Sequence, residues 1–156
     1  MIVIFDLDHT VIDSSHRQLT FADGTLDLAH WMENSTREKI FADTLLPLAE
    51  TMKWYFNKGA TVVVCTARTA TQHDFDFLDL HGLNYHHILY REPGDNRGDA
   101  VYKSDKLCGL ADDLGWPENW RDAAIMFDDN VAVIRAMLEE GLWCIDAIKR
   151  NRRIAA

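Results

Sequence analysis

The sequence predicts a doubly wound α/β domain with a mostly parallel sheet, and three observations predict it. Short apolar runs rich in β-branched and aromatic residues recur along the chain. Segments with helical spacing separate them. Acids, hydroxyls and bases cluster directly after the runs rather than inside them. Such runs read as strands buried on both faces, and their alternation with helices gives parallel neighbours with both sheet faces covered.

Ile2-Val3-Ile4-Phe5 is the first strand. Thr61-Val62-Val63-Val64-Cys65 is the second, Ile88-Leu89-Tyr90 a weaker third, Ala123 to Phe127 a fourth and Leu142 to Ile145 a short fifth. Leu45, Leu48, Ala49, Met52 and Phe56 fall at helical spacing, with Gly59 as the stop. Phe75, Leu78 and His81-Gly82 mark a second helix. Val101 to Leu114 is a third, ended by Gly115 and Pro117, and Val131, Ile134 and Leu138 line a fourth that Gly141 caps.

Residues 11–44 break the alternation. They are polar, with a turn at Gly24 and a short helical stretch near Leu28–Met32. They read as a small cap or lid inserted after the first strand, since structureless loops of that length are uncommon; a plain surface loop is the alternative. The basic tail from Lys149 to Arg153 reads most simply as a solvated end, with a contact to an anionic partner as the other reading. Residues 1–156 are expected to form one domain.

The balance of 47% hydrophobic to 26% charged residues is that of a folded globular protein. No apolar run reaches the ~18 residues of a membrane span, and the N-terminus reads as a strand rather than a secretory leader. Cys65, Cys108 and Cys144 have no metal-type spacing and sit in apolar surroundings. They read as free thiols in a reducing compartment, which places the protein in the cytoplasm. The net charge of −9 argues against a broad grip on nucleic acid, which needs lysine and arginine to neutralise phosphates. No GxxxxGK[ST] loop is present, so no ATP site is expected.

The strand ends carry the chemistry. The first strand ends in Asp6 and Asp8, the second in Thr66-Ala67-Arg68, the third in Arg91 and the loop through Asp99 to Lys103, and the fourth in Asp128-Asp129. In a parallel sheet these ends share one edge, where open α/β sheets bind ligands. Hard carboxylate oxygens from both halves of the chain suit Mg2+, and a hydroxyl, arginines and a lysine beside it suit a phosphate. The set points to phosphoryl transfer.

Asp6-x-Asp8-x-Thr10, Thr66, a downstream lysine and Asp128-Asp129 resemble the four motifs of the haloacid dehalogenase-like phosphatases, in order and across most of the chain. The resemblance implies that Asp6 is the nucleophile and that Asp8 protonates the leaving oxygen and then activates water. It implies that Asp6, the Asp8 carbonyl and Asp128 hold Mg2+ with help from Asp129, and that Thr66 and Lys103 hold the phosphate. His9 stands where glycine is usual. Residues 86–146 resemble the 3′-phosphatase domain of phage polynucleotide kinase/phosphatase more narrowly. That resemblance implies substrate-binding roles for Arg17, Arg68, Arg91 and Asp99, and a nucleic-acid 3′ end as substrate.

Several of these residues have simpler readings. Arg68 pairs with Asp74 at a helix start, Arg91 and Asp99 brace their loop, and Lys106 competes with Lys103 for the phosphate. Trp116 and Trp120 read as packing rather than base-stacking, and His86-His87 as structural. The leading expectation is a Mg2+-dependent phosphatase of polynucleotide 3′ ends, favoured by the arginines. A nucleotidase, favoured by the acidic charge, and a non-catalytic phosphate-binding module are the alternatives.

Overall fold

Alternate residues of the first strand enter different layers of the molecule. Val3 and Phe5 pack with Val62, Val64, Leu48, Met52, Phe77 and Leu78, whereas Ile4 packs with Val63, Cys65, Leu107, Val133 and Met137. The period of two puts both faces of the strand in apolar surroundings, which is why its sequence is uniformly apolar.

The computed structural model describes residues 1–156. The elements are β1 (Ile2–Phe5), β2 (Ile12–Asp13), α1 (Leu28–Glu33), α2 (Arg37–Phe41), β3 (Thr44–Leu45), α3 (Leu48–Asn57), β4 (Thr61–Cys65) and α4 (Gln72–Leu80). They continue with β5 (His87–Leu89), α5 (Asp99–Asp113), β6 (Ala124–Asp128), α6 (Val131–Glu139), β7 (Trp143–Asp146) and α7 (Ala147–Ala155). The main sheet has the order β5-β4-β1-β6-β7, and every neighbouring pair is parallel. The chain steps outward from β1 to β4 and β5, then crosses through α5 to β6 on the other side of β1. This reversal brings the carboxyl ends of β4, β1 and β6 side by side, at the position where such sheets bind ligands.

The helices stop where the sequence says. Gly59 takes φ +80 after α3, a left-handed turn that glycine adopts without a Cβ penalty. α4 begins with a capping box in which Thr71 and Asp74 exchange side-chain and backbone hydrogen bonds.

The insertion after β1 has more structure than its polarity predicts. β2 and β3 pair as an antiparallel ribbon at its base. Between them come a turn at Gly24 closed by a Thr20–Leu26 bridge, then α1 and α2. The expected helix near Leu28–Met32 is α1; α2 was not expected. Trp31 and Ile40 anchor the two helices, each about 1% exposed.

The basic tail forms the helix α7, an element the sequence did not predict, with Lys149, Arg150, Arg152 and Arg153 exposed as expected of a solvated end. Asp146 caps the helix, and Ala147 and Asn151, four residues apart on one face, are buried. The Asn151 side chain accepts from Leu48 N–H at 2.8 Å and donates to the Thr10 carbonyl at 2.9 Å. One amide thus ties α7 to the start of α3 and to the loop after β1. No helix is long and apolar enough to cross a membrane.

Candidate active site

Asp6 directly follows β1, and its N–H donates to the Phe127 carbonyl of β6 at 3.0 Å. That bond extends the β1–β6 ladder by one residue and places Asp6 beside Asp128, the last residue of β6. Carboxylate oxygens of Asp6, Asp128 and Asp129 all lie within 4.8 Å of one another. Lys103, from the first turns of α5, reaches between two of them. Its Nζ donates to Asp6 Oδ1 at 2.8 Å and to Asp128 Oδ2 at 2.6 Å. Thr10 Oγ1 donates to Asp6 Oδ2 at 3.4 Å.

Burial shapes the charges here. It pushes the Asp6 carboxyl well above the ordinary carboxylate range against the pull of Lys103, and the carboxylates of Asp128, Asp129 and Asp8 push the same way. Burial disfavours the Lys103 ammonium, yet Asp6 and Asp128 hold its pKa well above the ordinary lysine value. Burial, then Asp128, raises Asp129. Three converging carboxylates form a donor set suited to a hard divalent cation such as Mg2+.

Asp8 faces elsewhere. Its Oδ1 accepts from Ser14 Oγ at 2.6 Å and its Oδ2 from Arg68 Nε at 2.5 Å. Burial works to raise this carboxyl, but Arg68 and Ser14 overcome it and hold the pKa below the ordinary value. The Asp8 side chain is thus held away from the carboxylate cluster, and only its backbone faces that cluster.

Asp6, Asp8, Thr66, Arg68, Arg91, Asp99, Lys103, Asp128 and Asp129 all line one cleft of about 660 Å³. Arg17 does not. It lies behind the wall, 1% exposed, with Nε and Nη2 forked onto Asp43 at 2.8 to 3.2 Å and Nη1 buried without a partner. The ring of Trp31 of α1 carries two guanidinium groups over it, with Arg17 4.1 Å and Arg68 4.8 Å from the ring centroid.

The other two arginines are held by partners of their own. Arg68 pairs with Asp74 at 3.0 Å as well as with Asp8. Arg91 donates to the carbonyls of Ala67, Asp95 and Arg97 and to Asp99 Oδ1 at 3.0 Å, with its guanidinium stacked on Tyr102. Asp99 also accepts from Asn130 at 3.4 Å, so Arg91 and Asp99 brace the loop into α5. The Lys106 ammonium lies over the Tyr102 ring and not in the cleft. Trp116 and Trp120 pack against each other and into the core, and His86 accepts from Val62 N–H through Nδ1 at 3.0 Å.

Sequence reasoning passed over several residues of this cleft and of the wall behind it. Asn130 caps α6 and donates its N–H to Asp128 Oδ1 at 2.9 Å. Its position just before a helical pattern is a legible cap signature. Ser14, Gln18 and Trp31 carry no such signal, because their partners lie outside any local pattern.

The chain resembles known proteins in sequence and in fold. A family model described as bacteriophage T5 5′-deoxynucleotidase matches residues 1–92. The 5′-deoxynucleotidase of Escherichia phage T5 is 37% identical over 86 residues, covering 53% of this chain and 35% of that protein. The chain thus matches about a third of the length of that relative. Among solved structures, a chain of the Pnkp1/Rnl/Hen1 RNA repair complex superposes with a TM-score of 0.64 at 22% identity, over 92% of this chain and 40% of that one. A haloacid dehalogenase-like hydrolase of Streptococcus pneumoniae gives 0.61 at 14% identity, over 97% and 90%. A haloacid dehalogenase-superfamily hydrolase of Geobacter sulfurreducens gives 0.62 at 17%, over 92% and 86%. The sequence match ends before Lys103, Asp128 and Asp129, which the sheet topology brings to Asp6. With well over half its length under one model, the chain belongs to the bacteriophage T5 5′-deoxynucleotidase family and has the haloacid dehalogenase-like fold.

Proposed function

We propose that this protein is a Mg2+-dependent phosphomonoesterase that releases phosphate from deoxynucleoside 5′-monophosphates through an aspartyl-phosphate on Asp6. The observation that carries it is the convergence of Asp6, Asp128 and Asp129 around Lys103, at the adjoining ends of β1 and β6, in a cleft whose volume suits a small ligand. The family membership supports the 5′-nucleotide. So does the loss of the surplus of arginines that favoured a polynucleotide 3′ end, because Arg17 is buried outside the cleft on Asp43 and Arg91 is committed to its own loop and Asp99, which leaves Arg68 for a single phosphate.

Asp6, the Asp8 carbonyl, Asp128 and Asp129 would hold Mg2+, which supplies charge neutralisation at the phosphate. An Asp6 oxygen attacks phosphorus and the bond to the nucleoside oxygen breaks. Thr66 and Lys103 donate to the phosphoryl oxygens. The incoming phosphate dianion competes with Asp8 for Arg68; as Arg68 turns to the phosphate, burial lets Asp8 take up a proton and pass it to the leaving oxygen. Asp8 then takes a proton from the water that hydrolyses the aspartyl-phosphate.

The test is a substrate panel of 5′- and 3′-deoxynucleotides, a 3′-phosphorylated oligonucleotide and p-nitrophenyl phosphate, each with Mg2+ and with EDTA. The expected result is highest kcat/KM on a 5′-mononucleotide and none in EDTA. Preference for the 3′-phosphorylated oligonucleotide would replace this reading with 3′-end repair. No hydrolysis of any ester would leave a phosphate-binding module.

A further inference from the structure

Asp8 is approached from the insertion by a chain of three side chains that the roles above do not use. Ser14 Oγ lies 2.6 Å from Asp8 Oδ1, Gln18 Nε2 lies 2.9 Å from Ser14 Oγ, and His9 Nε2 lies 2.9 Å from Gln18 Oε1. Ser14 is fully buried, while His9 and Gln18 face the cleft. His9 holds φ +60, and it alone among the non-glycine residues has a positive φ. A left-handed backbone at a histidine is uncommon and persists where its surroundings fix it.

The direction of the chain follows from donor and acceptor chemistry. An ionised Asp8 only accepts, so the Ser14 hydroxyl donates to it. That hydroxyl then has only lone pairs left for Gln18, which must present its amide N–H. The Gln18 carbonyl oxygen is thereby turned to His9, which carries its proton on Nε2. Every donation points toward Asp8 Oδ1.

We propose that Ser14, Gln18 and His9 are positioning residues that lock Asp8 Oδ1, and so leave Oδ2 as the atom that gives the proton to the leaving alcohol. This rests on the acid–base role of Asp8 proposed above. Once Arg68 turns to the phosphate, Oδ2 has no other partner in the protein. The proton goes from Asp8 Oδ2 to the ester oxygen as the P–O bond breaks, and the Ser14 hydrogen bond keeps the carboxyl from rotating its other oxygen into the same place.

The experiment compares kcat/KM for dTMP, a poor alkoxide leaving group, with that for p-nitrophenyl phosphate, whose phenolate leaves without a proton. This ratio reports the steps up to phosphoryl transfer and not the later hydrolysis. Ser14→Ala should lose about 10-fold or more on dTMP and less than about 2-fold on p-nitrophenyl phosphate, since general acid catalysis is at stake only in the first. Inhibition by inorganic phosphate should be unchanged. His9→Gly should shift the ratio the same way, and its fold is secure because glycine accepts the left-handed backbone. Equal losses on both esters, or no loss on dTMP in either variant, would overturn the inference. Asp8→Asn separates it from the reading on which it rests. If Asp8→Asn discriminates between the esters and Ser14→Ala and His9→Gly do not, the positioning chain alone falls. If Asp8→Asn treats both esters alike, the acid role falls and takes the chain with it.

Discussion

Lys103 Nζ lies 2.8 Å from Asp6 Oδ1 across 97 residues of sequence, and both side chains are more than nine-tenths buried. An ion pair so far from water is costly to break from one side only, because the surviving charge loses its partner without regaining solvent. The same ammonium serves Asp128, so one side chain neutralises two buried carboxylates.

Lys103→Met should therefore destabilise the protein by about 3 kcal/mol or more in EDTA, as removal of one partner from a buried ion pair does. Urea denaturation measures it, and Mg2+ should restore part of the loss by taking over the stranded carboxylates. Lys106→Met, whose ammonium lies over the Tyr102 ring, should match the parent in stability and in turnover.

Asp6→Asn should keep the fold and lose more than about 100-fold in turnover, equivalent to about 2.7 kcal/mol of barrier, because an amide cannot form the acyl phosphate. Turnover above that level would refute the covalent route. Beryllium fluoride, a phosphate mimic, should inhibit the parent and fail to protect Asp6→Asn from thermal unfolding.

Asp128→Ala should abolish the rise in melting temperature that Mg2+ gives the parent. The variant without metal should melt below the parent without metal, since Lys103 loses one of its two buried carboxylate partners. A full thermal response of the variant to Mg2+ would remove Asp128 from the metal site.

Arg17→Met tests whether the buried arginine binds substrate or only holds the insertion. Its fork onto Asp43 predicts a stability loss of about 3 kcal/mol with KM for dTMP within about 2-fold of the parent. A KM raised about 10-fold without loss of stability would return Arg17 to the substrate.

Burial pushes the Cys65 and Cys144 thiols up to about 12. Iodoacetamide at pH 8 should modify only the partly exposed Cys108 in the native protein, and all three cysteines after denaturation, as intact mass will report. The linkage has a definite sign. The two thiols ionise near 9 when unfolded and near 12 when folded, so their contribution is fully present below pH 9 and is lost as pH rises from 9 through 12.

Much of the fold was readable from local pattern. The apolar runs became β1 and β4 at the expected boundaries and β5, β6 and β7 shifted by one residue, because β-branched runs between helical segments have few other ways to hide both faces. The convergence of Asp6, Thr66, Lys103, Asp128 and Asp129 followed from the same parallel order, since residues placed after parallel strands must meet at one edge. What the sequence left open were polar partners, which depend on distance in space. Arg17 turned to Asp43 and Arg68 to Asp8 and Asp74 because a buried guanidinium must find carboxylates nearby. The tail became a docked helix because one amide, Asn151, meets the free Leu48 N–H and the Thr10 carbonyl. Ser14 reached Asp8 because the loop after β1 folds back on itself. Periodicity records which face of an element is buried; it holds no record of which distant residue supplies the missing hydrogen bond, and only the tertiary structure decided that.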